Sequence, residues 1–176
     1  MILSIASSDN DVYFAGIDGL QGGQQMLSNS SHVRYWSGTL PQTQDYRINL
    51  TTDNPDTVYF LGVEIPANIR FKPGTYSTSL KGHIEVFDED PSAGIDNHVT
   101  YLARASAGQI LDVRLYSPNL DALSLGVYGQ EDGQPYLRYQ VKNSGYHGEL
   151  PVTQGYYLKV FSNGLSVDYT LEITIS

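Results

Sequence analysis

The sequence contains no cysteine among its 176 residues. The chain can therefore form no disulfide bond, no thiolate nucleophile and no cysteine-ligated zinc or iron–sulfur centre. Basic residues are scarce as well, because 10 Lys and Arg stand against 19 Asp and Glu, for a formal net charge of −9. Binding to nucleic acid depends on Lys and Arg that neutralise phosphates. The composition thus argues against a nucleic-acid partner and against an anionic membrane surface.

Long apolar runs are also missing. No stretch approaches the roughly 20 apolar residues that a membrane helix requires, so we expect no membrane span. Residues 2–6 are largely apolar, but no basic residue precedes them and polar residues follow. This pattern does not fit a secretory signal, and we expect any export signal to lie outside residues 1–176.

The sequence does contain an internal repeat. A shift of 110 positions superposes residues 2–66 on residues 112–176 without a gap, and 16 of the 65 aligned pairs are identical. Many identical residues are of the turn-forming kind, such as Gly23 with Gly133 and Pro41 with Pro151. The repeat predicts a complete unit over residues 67–176. Residues 1–66 form an incomplete unit that lacks its opening strands, the counterpart of residues 67–111.

Hydrophobic residues alternate with polar ones at a period of two, and no stretch shows a helical period. We therefore predict an all-β fold of tandem, jelly-roll-like antiparallel β-sandwiches. The inward positions predicted for the second unit are Leu111, Val113, Leu115, Leu123, Leu125, Val127, Tyr156, Leu158, Val160, Tyr169, Leu171, Ile173 and Ile175. Those predicted for the first unit are Leu3, Ile5, Tyr13, Ala15, Ile17, Tyr46, Ile48, Leu50, Tyr59, Leu61, Val63 and Ile65.

The missing opening has a physical consequence. Some strands of the first unit would have no neighbour, and its sheets would present raw edges that natural proteins avoid. Either an N-terminal part of this unit lies outside the sequence, or strands of another copy complete it. A donated strand can fill an open sandwich, and repeated head to tail such a contact builds a filament.

Several segments resemble the bacterial pre-peptidase C-terminal domain. These segments are residues 36–46, 59–61, 101–109 and 127–133. The resemblance covers residues 77–176 and, again, the later part of the domain in residues 2–66. It implies a jelly-roll-like β-sandwich of secreted bacterial proteins, often an accessory beside a catalytic domain. Some relatives are similar to collagen- or polysaccharide-binding modules and hold calcium. Residues 146–151 depart from the Trp-Ser-Gly form found at Trp36.

The densest acidic stretch contains Asp88, Glu89, Asp90 and Asp96. Calcium takes six to eight oxygen ligands, which carboxylates and backbone carbonyls of one loop can supply. The spacing is not that of an EF-hand. Two interpretations stay open, a solvated acidic loop and a Ca²⁺ site, and we expect no other cofactor.

Aromatic residues are the other excess, with 14 tyrosines in the chain. A set predicted at outward or turn positions would form a binding face for sugar rings or a protein partner. Its members are Tyr35, Trp36, Tyr128, Tyr136, Tyr139, Tyr146 and Tyr157. Alternatively, these aromatics simply cover the surfaces of sheets.

Catalytic signatures are missing from the sequence. Its four histidines show no zinc-binding spacing, and there is neither a nucleophile elbow nor a phosphate-binding glycine loop. We therefore expect no enzymatic activity. The sequence favours an extracellular or cell-surface structural or adhesive module that associates with itself head to tail or binds an extracellular polymer. The alternative is an accessory module of a secreted hydrolase that recognises polysaccharide or a collagen-like substrate.

Overall fold

The computed structural model describes residues 1–28, 32–86 and 97–176. The described residues form two compact units, one within Met1–Ile65 and one from Pro66 onward. Apart from one 3-10 turn at Leu120–Ala122, all regular structure in these residues is β-strand. The predicted all-β fold of antiparallel sandwiches is confirmed.

The first unit has six strands in two three-stranded sheets. The strands are β1 (Ile2–Ser7), β2 (Val12–Gly19), β3 (Gln25–Leu27), β4 (Tyr35–Ser37), β5 (Tyr46–Thr52) and β6 (Tyr59–Glu64). One sheet has the order β4, β1, β6 and the other the order β3, β2, β5. All pairings within these two sheets are antiparallel.

The second unit has larger sheets of four and five strands. Its strands are β7 (Ala67–Asn68), β8 (Ser77–Ile84), β9 (His98–Ala105), β10 (Ile110–Tyr116), β11 (Leu123–Gly129), β12 (Pro135–Leu137), β13 (Gly145–Glu149), β14 (Gln154–Ser162) and β15 (Val167–Ile175). The sheet orders are β13, β10, β15, β8 and β12, β11, β14, β9, β7. Only the short pairing of β7 with β9 is parallel among the described strands.

The sequence repeat is also a repeat of strand pairing. Strand β1 pairs with β4 and β6 as β10 pairs with β13 and β15. The register matches too, since Leu3 lies opposite Val63 as Val113 lies opposite Ile173. Strand β2 pairs with β3 and β5 as β11 pairs with β12 and β14. The six strands of the first unit therefore correspond to β10–β15 of the second.

The core of the second unit lies between its two sheets. All thirteen inward positions predicted for this unit are buried. They form one cluster, which also contains Tyr101 and Ala103 from β9 and Ile84 from β8. Packing of the two inner faces excludes water from this layer, as in other sandwiches.

The core of the first unit is smaller and differs from the prediction on β2. Leu3, Ile5 and Ile17 are buried as expected. Tyr13 and Ala15 were wrongly predicted to face inward, because Val12 and Phe14 are buried in their place. A β-bulge between Phe14 and Gly16 adds one residue to β2 and reverses the alternation on its first half. The corresponding part of β11 has no such shift.

Candidate functional site: the open edge of the first unit

Four strands of the first unit, β3 to β6, have a partner on one side only, and two of them, β5 and β6, differ in this from their counterparts in the second unit. Within the described residues, β6 pairs with β1 alone and β5 pairs with β2 alone. Their counterparts in the second unit have two partners each. Strand β15 lies between β10 and β8, and β14 lies between β11 and β9. The described residues of the first unit contain no counterpart of β7, β8 or β9, and β8 and β9 are the strands that cover β15 and β14.

The side chains of β6 are exposed where those of β15 are buried. Tyr169, Leu171 and Ile173 are 3%, 0% and 1% exposed, whereas Tyr59, Leu61 and Val63 are 47%, 39% and 54% exposed. Two of these three pairs are identical residues. The prediction that Leu61 and Val63 face inward gives their side of the sheet correctly, because both lie opposite buried residues of β1. The predictions that Tyr59, Leu61, Val63 and Ile65 are buried are nevertheless wrong, because no further strand of the described residues covers them.

The second unit shows what covers these positions. Strand β8 pairs with β15 over eight residues, and Leu171 lies opposite Leu80. Strand β9 pairs with β14 over eight residues, and Leu158 lies opposite Tyr101. Tyr101 also joins the two sheets, because its hydroxyl is 2.9 Å from that of Tyr169 in a buried hydrogen bond. Burial, together with this bond, raises the pKa of Tyr169 above its ordinary value.

The edge strand β6 has few of the residues that prevent an edge strand from pairing with another chain. Natural edge strands usually carry Lys, Pro, a bulge or an inward charge that prevents pairing with another chain. Strand β8, an edge of the second unit, has Lys81 and His83. Strand β6 has a single charge, on Glu64. We call the exposed apolar residues on and beside β6 the open edge; they are Val58, Tyr59, Phe60, Leu61, Val63 and Ile65.

A glutamine network repeats between the two units but is complete in only one. In the second unit the buried Gln154 accepts hydrogen bonds from the backbone amides of Glu131 and Asp132. Its amide nitrogen donates to Asp132 Oδ2 at 2.8 Å and to the hydroxyl of Tyr136 at 3.2 Å. Burial works to raise the pKa of Asp132, but hydrogen bonds from Gln134, Tyr136 and Gln154 hold it below its ordinary value.

In the first unit Gln44 takes the place of Gln154. Its oxygen accepts from the backbone amide of Gln21 at 2.6 Å. Gly22 and Met26 stand at the positions of Asp132 and Tyr136. Gln44 Nε2 is accordingly buried without a hydrogen-bond partner in the described part of the chain. The first unit thus leaves a buried polar atom without a hydrogen bond where the second unit satisfies it, and it also has an uncovered edge.

The predicted aromatic face divides between the units. Tyr35 and Trp36 belong to the first, where Tyr35 is exposed and Trp36 packs against the core. In the second, Tyr136 and Tyr146 pack against the core. The expectation that Tyr157 is exposed is wrong, because it is only 4% exposed.

The position of Tyr157 in the sheet explains its burial. Tyr157 lies directly opposite Tyr128 on one side and Leu102 on the other, and large cross-strand neighbours cover each other. Tyr139 likewise stacks on Phe161, with ring centroids 3.9 Å apart. A binding role for the aromatic set stays a prediction.

The acidic residues of the predicted calcium site lie outside the described residues. This applies to Asp88, Glu89, Asp90 and Asp96, so the site stays a prediction. In the described ranges no three His, Asp or Glu side chains lie close enough together to hold a metal ion.

A small ionic cluster occupies the outer face of the four-stranded sheet. Asp112 accepts hydrogen bonds from His147 Nδ1 at 3.0 Å and Arg114 Nε at 3.1 Å. The hydrogen bond with His147 lowers the pKa of Asp112 most, and the hydrogen bond with Arg114 lowers it further. Because Arg114 and His147 are exposed, the cluster contributes little to stability.

No described helix is long and apolar enough to cross a membrane.

Comparison with known proteins gives similarities of fold. No protein-family model matches the chain, and no curated protein sequence matches it. The periplasmic inhibitor PliG of g-type lysozyme from Aeromonas hydrophila is similar, with TM-score 0.48 and 19% identity, over 63% of this chain and 96% of that one. PliG from Salmonella Typhimurium has TM-score 0.46 and 22% identity, over 65% of this chain and 100% of that one.

A domain of the kind that the sequence resembles is also among the similar structures. It is the pre-peptidase C-terminal domain of a collagenase from Bacillus anthracis, with TM-score 0.44 and 15% identity. The match covers 65% of this chain and 98% of that chain. Similarity at this level indicates no function.

Proposed function

We propose that this chain is a non-catalytic β-sandwich module of an extracellular or cell-surface structure, and that it assembles through the open edge of its first unit. One observation carries the proposal. The inward residues of β15 are covered by β8, whereas the equivalent residues of β6 are between 39% and 54% exposed.

An added strand satisfies two needs of such an edge at once. It pairs with the free backbone N–H and C=O groups, and its side chains cover the apolar residues. A fully buried apolar side chain is stabilised by about 2 kcal/mol, so five half-exposed ones forfeit roughly 5 kcal/mol. This loss is comparable to the whole stability of a small domain. The unit therefore gains most of its missing core when another chain binds.

The geometry of the contact decides what is built. A head-to-tail contact joins two different surfaces and, when repeated, builds a filament, whereas a contact between two identical surfaces closes as a dimer. The second function indicated by the sequence is that of an accessory module of a secreted hydrolase, which would recognise polysaccharide or a collagen-like substrate through the aromatic set. The burial of Tyr157 removes one member of that set, and the unpaired edge favours assembly.

Assembly is tested on residues 1–176 by light scattering and negative-stain electron microscopy across a concentration series. We expect particles heavier than the 19.4 kDa of one chain at micromolar concentration. Hydrogen exchange at the amides of β5 and β6 should slow as particles form. A monomer at all concentrations, with β5 and β6 already protected from exchange, contradicts the proposal.

A further inference from the structure

We infer that the partner at the open edge is the same edge of a second copy, related by a twofold axis between two β6 strands. This inference rests on the proposed function, since it names the partner. The first argument concerns the strands that another copy could donate. Among the described strands, β8 and β9 are the ones that cover this edge in the second unit, and each is already paired over eight residues there. Donating them to another copy would open one unit in order to close the other.

Pairing of two open edges requires no donated strand. Two antiparallel copies of β6 would join their three-stranded sheets into one of six strands. In the second unit β8 and β9 are the partners of β15 and β14. The free sides of β6 and β5 are therefore the sides that β8 and β9 cover in the second unit. In the twofold arrangement, β5 of one copy also lies beside β5 of the other copy in the second sheet.

The side chains define a register for this contact. Leu61 and Val63 face inward, so inward residues must meet inward residues across the axis. An axis at Gly62 places Leu61 opposite Val63 of the second copy and Tyr59 opposite Ile65. Phe60 then lies opposite Glu64, and the two Glu64 carboxylates do not face each other. No like charges meet in this register.

The area and chemistry of the open edge suit self-association. Its six side chains are between 39% and 71% exposed. With about 200 Å² for a large side chain, they expose on the order of 500 Å² per copy. Two copies would bury on the order of 1,000 Å², which is about what a specific interface requires. The exposed Lys81 and His83 on β8 make the edge of the second unit a poorer match for this apolar surface.

The first test compares two lysine variants by sedimentation and light scattering. We expect the unmodified chain to have twice the 19.4 kDa mass of one chain. Val63→Lys should halve that mass, because lysine on an edge strand blocks pairing. Val141→Lys is the matched control, since Val141 is 59% exposed in a turn of the second unit. Equal loss of dimer in both variants would overturn the inference.

The second test uses single cysteines, which the chain otherwise lacks. In a Ser4→Ala background, which makes room beside Gly62, Gly62→Cys should form a disulfide-linked dimer on oxidation. Directly opposed strand residues have Cα atoms about 4.5–5.5 Å apart, within the range of a disulfide. Val141→Cys should cross-link at least tenfold more slowly.

The outcomes separate this inference from the proposed function. A dimer that Val63→Lys dissociates and Gly62→Cys cross-links supports both. Assemblies that grow beyond a dimer with concentration and are lost in Val63→Lys overturn the twofold contact and leave assembly standing. A chain that stays monomeric, with Gly62→Cys no faster than Val141→Cys, overturns both.

Discussion

Strands β6 and β15 have nearly the same pattern and different surroundings. Tyr59 and Leu61 are the same residue types as Tyr169 and Leu171. Strand β6 pairs with β1 in the same register in which β15 pairs with β10. Yet Leu171 is fully buried and Leu61 is 39% exposed. The alternation of a strand therefore fixes which side faces the core, but the next strand in the sheet decides whether that side is covered. A repeat with missing strands separates these two effects.

The largest expected effect is a difference in stability between the units. Trp36 is the only tryptophan and packs against the core of the first unit, so its fluorescence reports on that unit alone. In urea at submicromolar protein, we expect the Trp36 transition at a lower midpoint than the later far-UV circular dichroism transition. The first unit buries less apolar surface and should unfold first. A single coincident transition would show that the two units unfold together and would contradict the expected difference in stability.

Two alanine variants test the same comparison at one aligned position. Leu171→Ala removes a fully buried side chain and should cost about 2–5 kcal/mol in the free energy of unfolding of the second unit. At submicromolar protein, where the chain is monomeric, Leu61→Ala should cost roughly 1 kcal/mol or less in the first unit, since its side chain then retains contact with water in the folded state. Circular dichroism follows the first variant and Trp36 fluorescence the second. Equal costs would mean that the edge of β6 is covered in solution.

Calcium provides a separate test of the two units, because the acidic residues lie in the sequence between β8 and β9, which have no counterpart among the described residues of the first unit. Asp88, Glu89, Asp90 and Asp96 follow β8 and precede β9 in the chain. If they bind Ca²⁺, a concentration 100 times the Kd stabilises the second unit by about 2.7 kcal/mol. The circular dichroism transition should then move and the Trp36 transition should not. Asp90→Asn should abolish the shift, and identical melting in calcium and in chelator would leave a solvated loop.

The sequence predicts those features that depend on local pattern. The all-β class, the inward residues of β10, β11, β14 and β15, and the side on which Leu61 lies all follow from alternation and the repeat. The burial of Phe14 does not follow from the pattern. It depends on a β-bulge in the pairing of β2 with β5, and the run of residues 12–15 is compatible with either side facing the core. The burial of Tyr157 was missed for a similar reason, since it depends on cross-strand neighbours that alternation does not identify. The sequence analysis did not assign Val58 and Phe60 to a binding surface, because it considered only the inward residues of this strand. Both are exposed because they lie on or beside an edge strand.

The smallest expected effect concerns the two equivalent glutamines. Gln154→Leu removes an amide that accepts two backbone hydrogen bonds and donates to Asp132 and Tyr136, and it leaves those groups without their partner. An unsatisfied buried polar group costs about 1–3 kcal/mol, and we expect a loss of that size in the second unit. Gln44→Leu removes one hydrogen bond from Gln21 but also an amide nitrogen that is already unpaired. The two contributions oppose each other, so the Trp36 transition should move by less than about 1 kcal/mol. A loss in Gln44→Leu as large as that in Gln154→Leu would mean that Gln44 Nε2 finds a partner in solution, which an added strand from a second copy could supply.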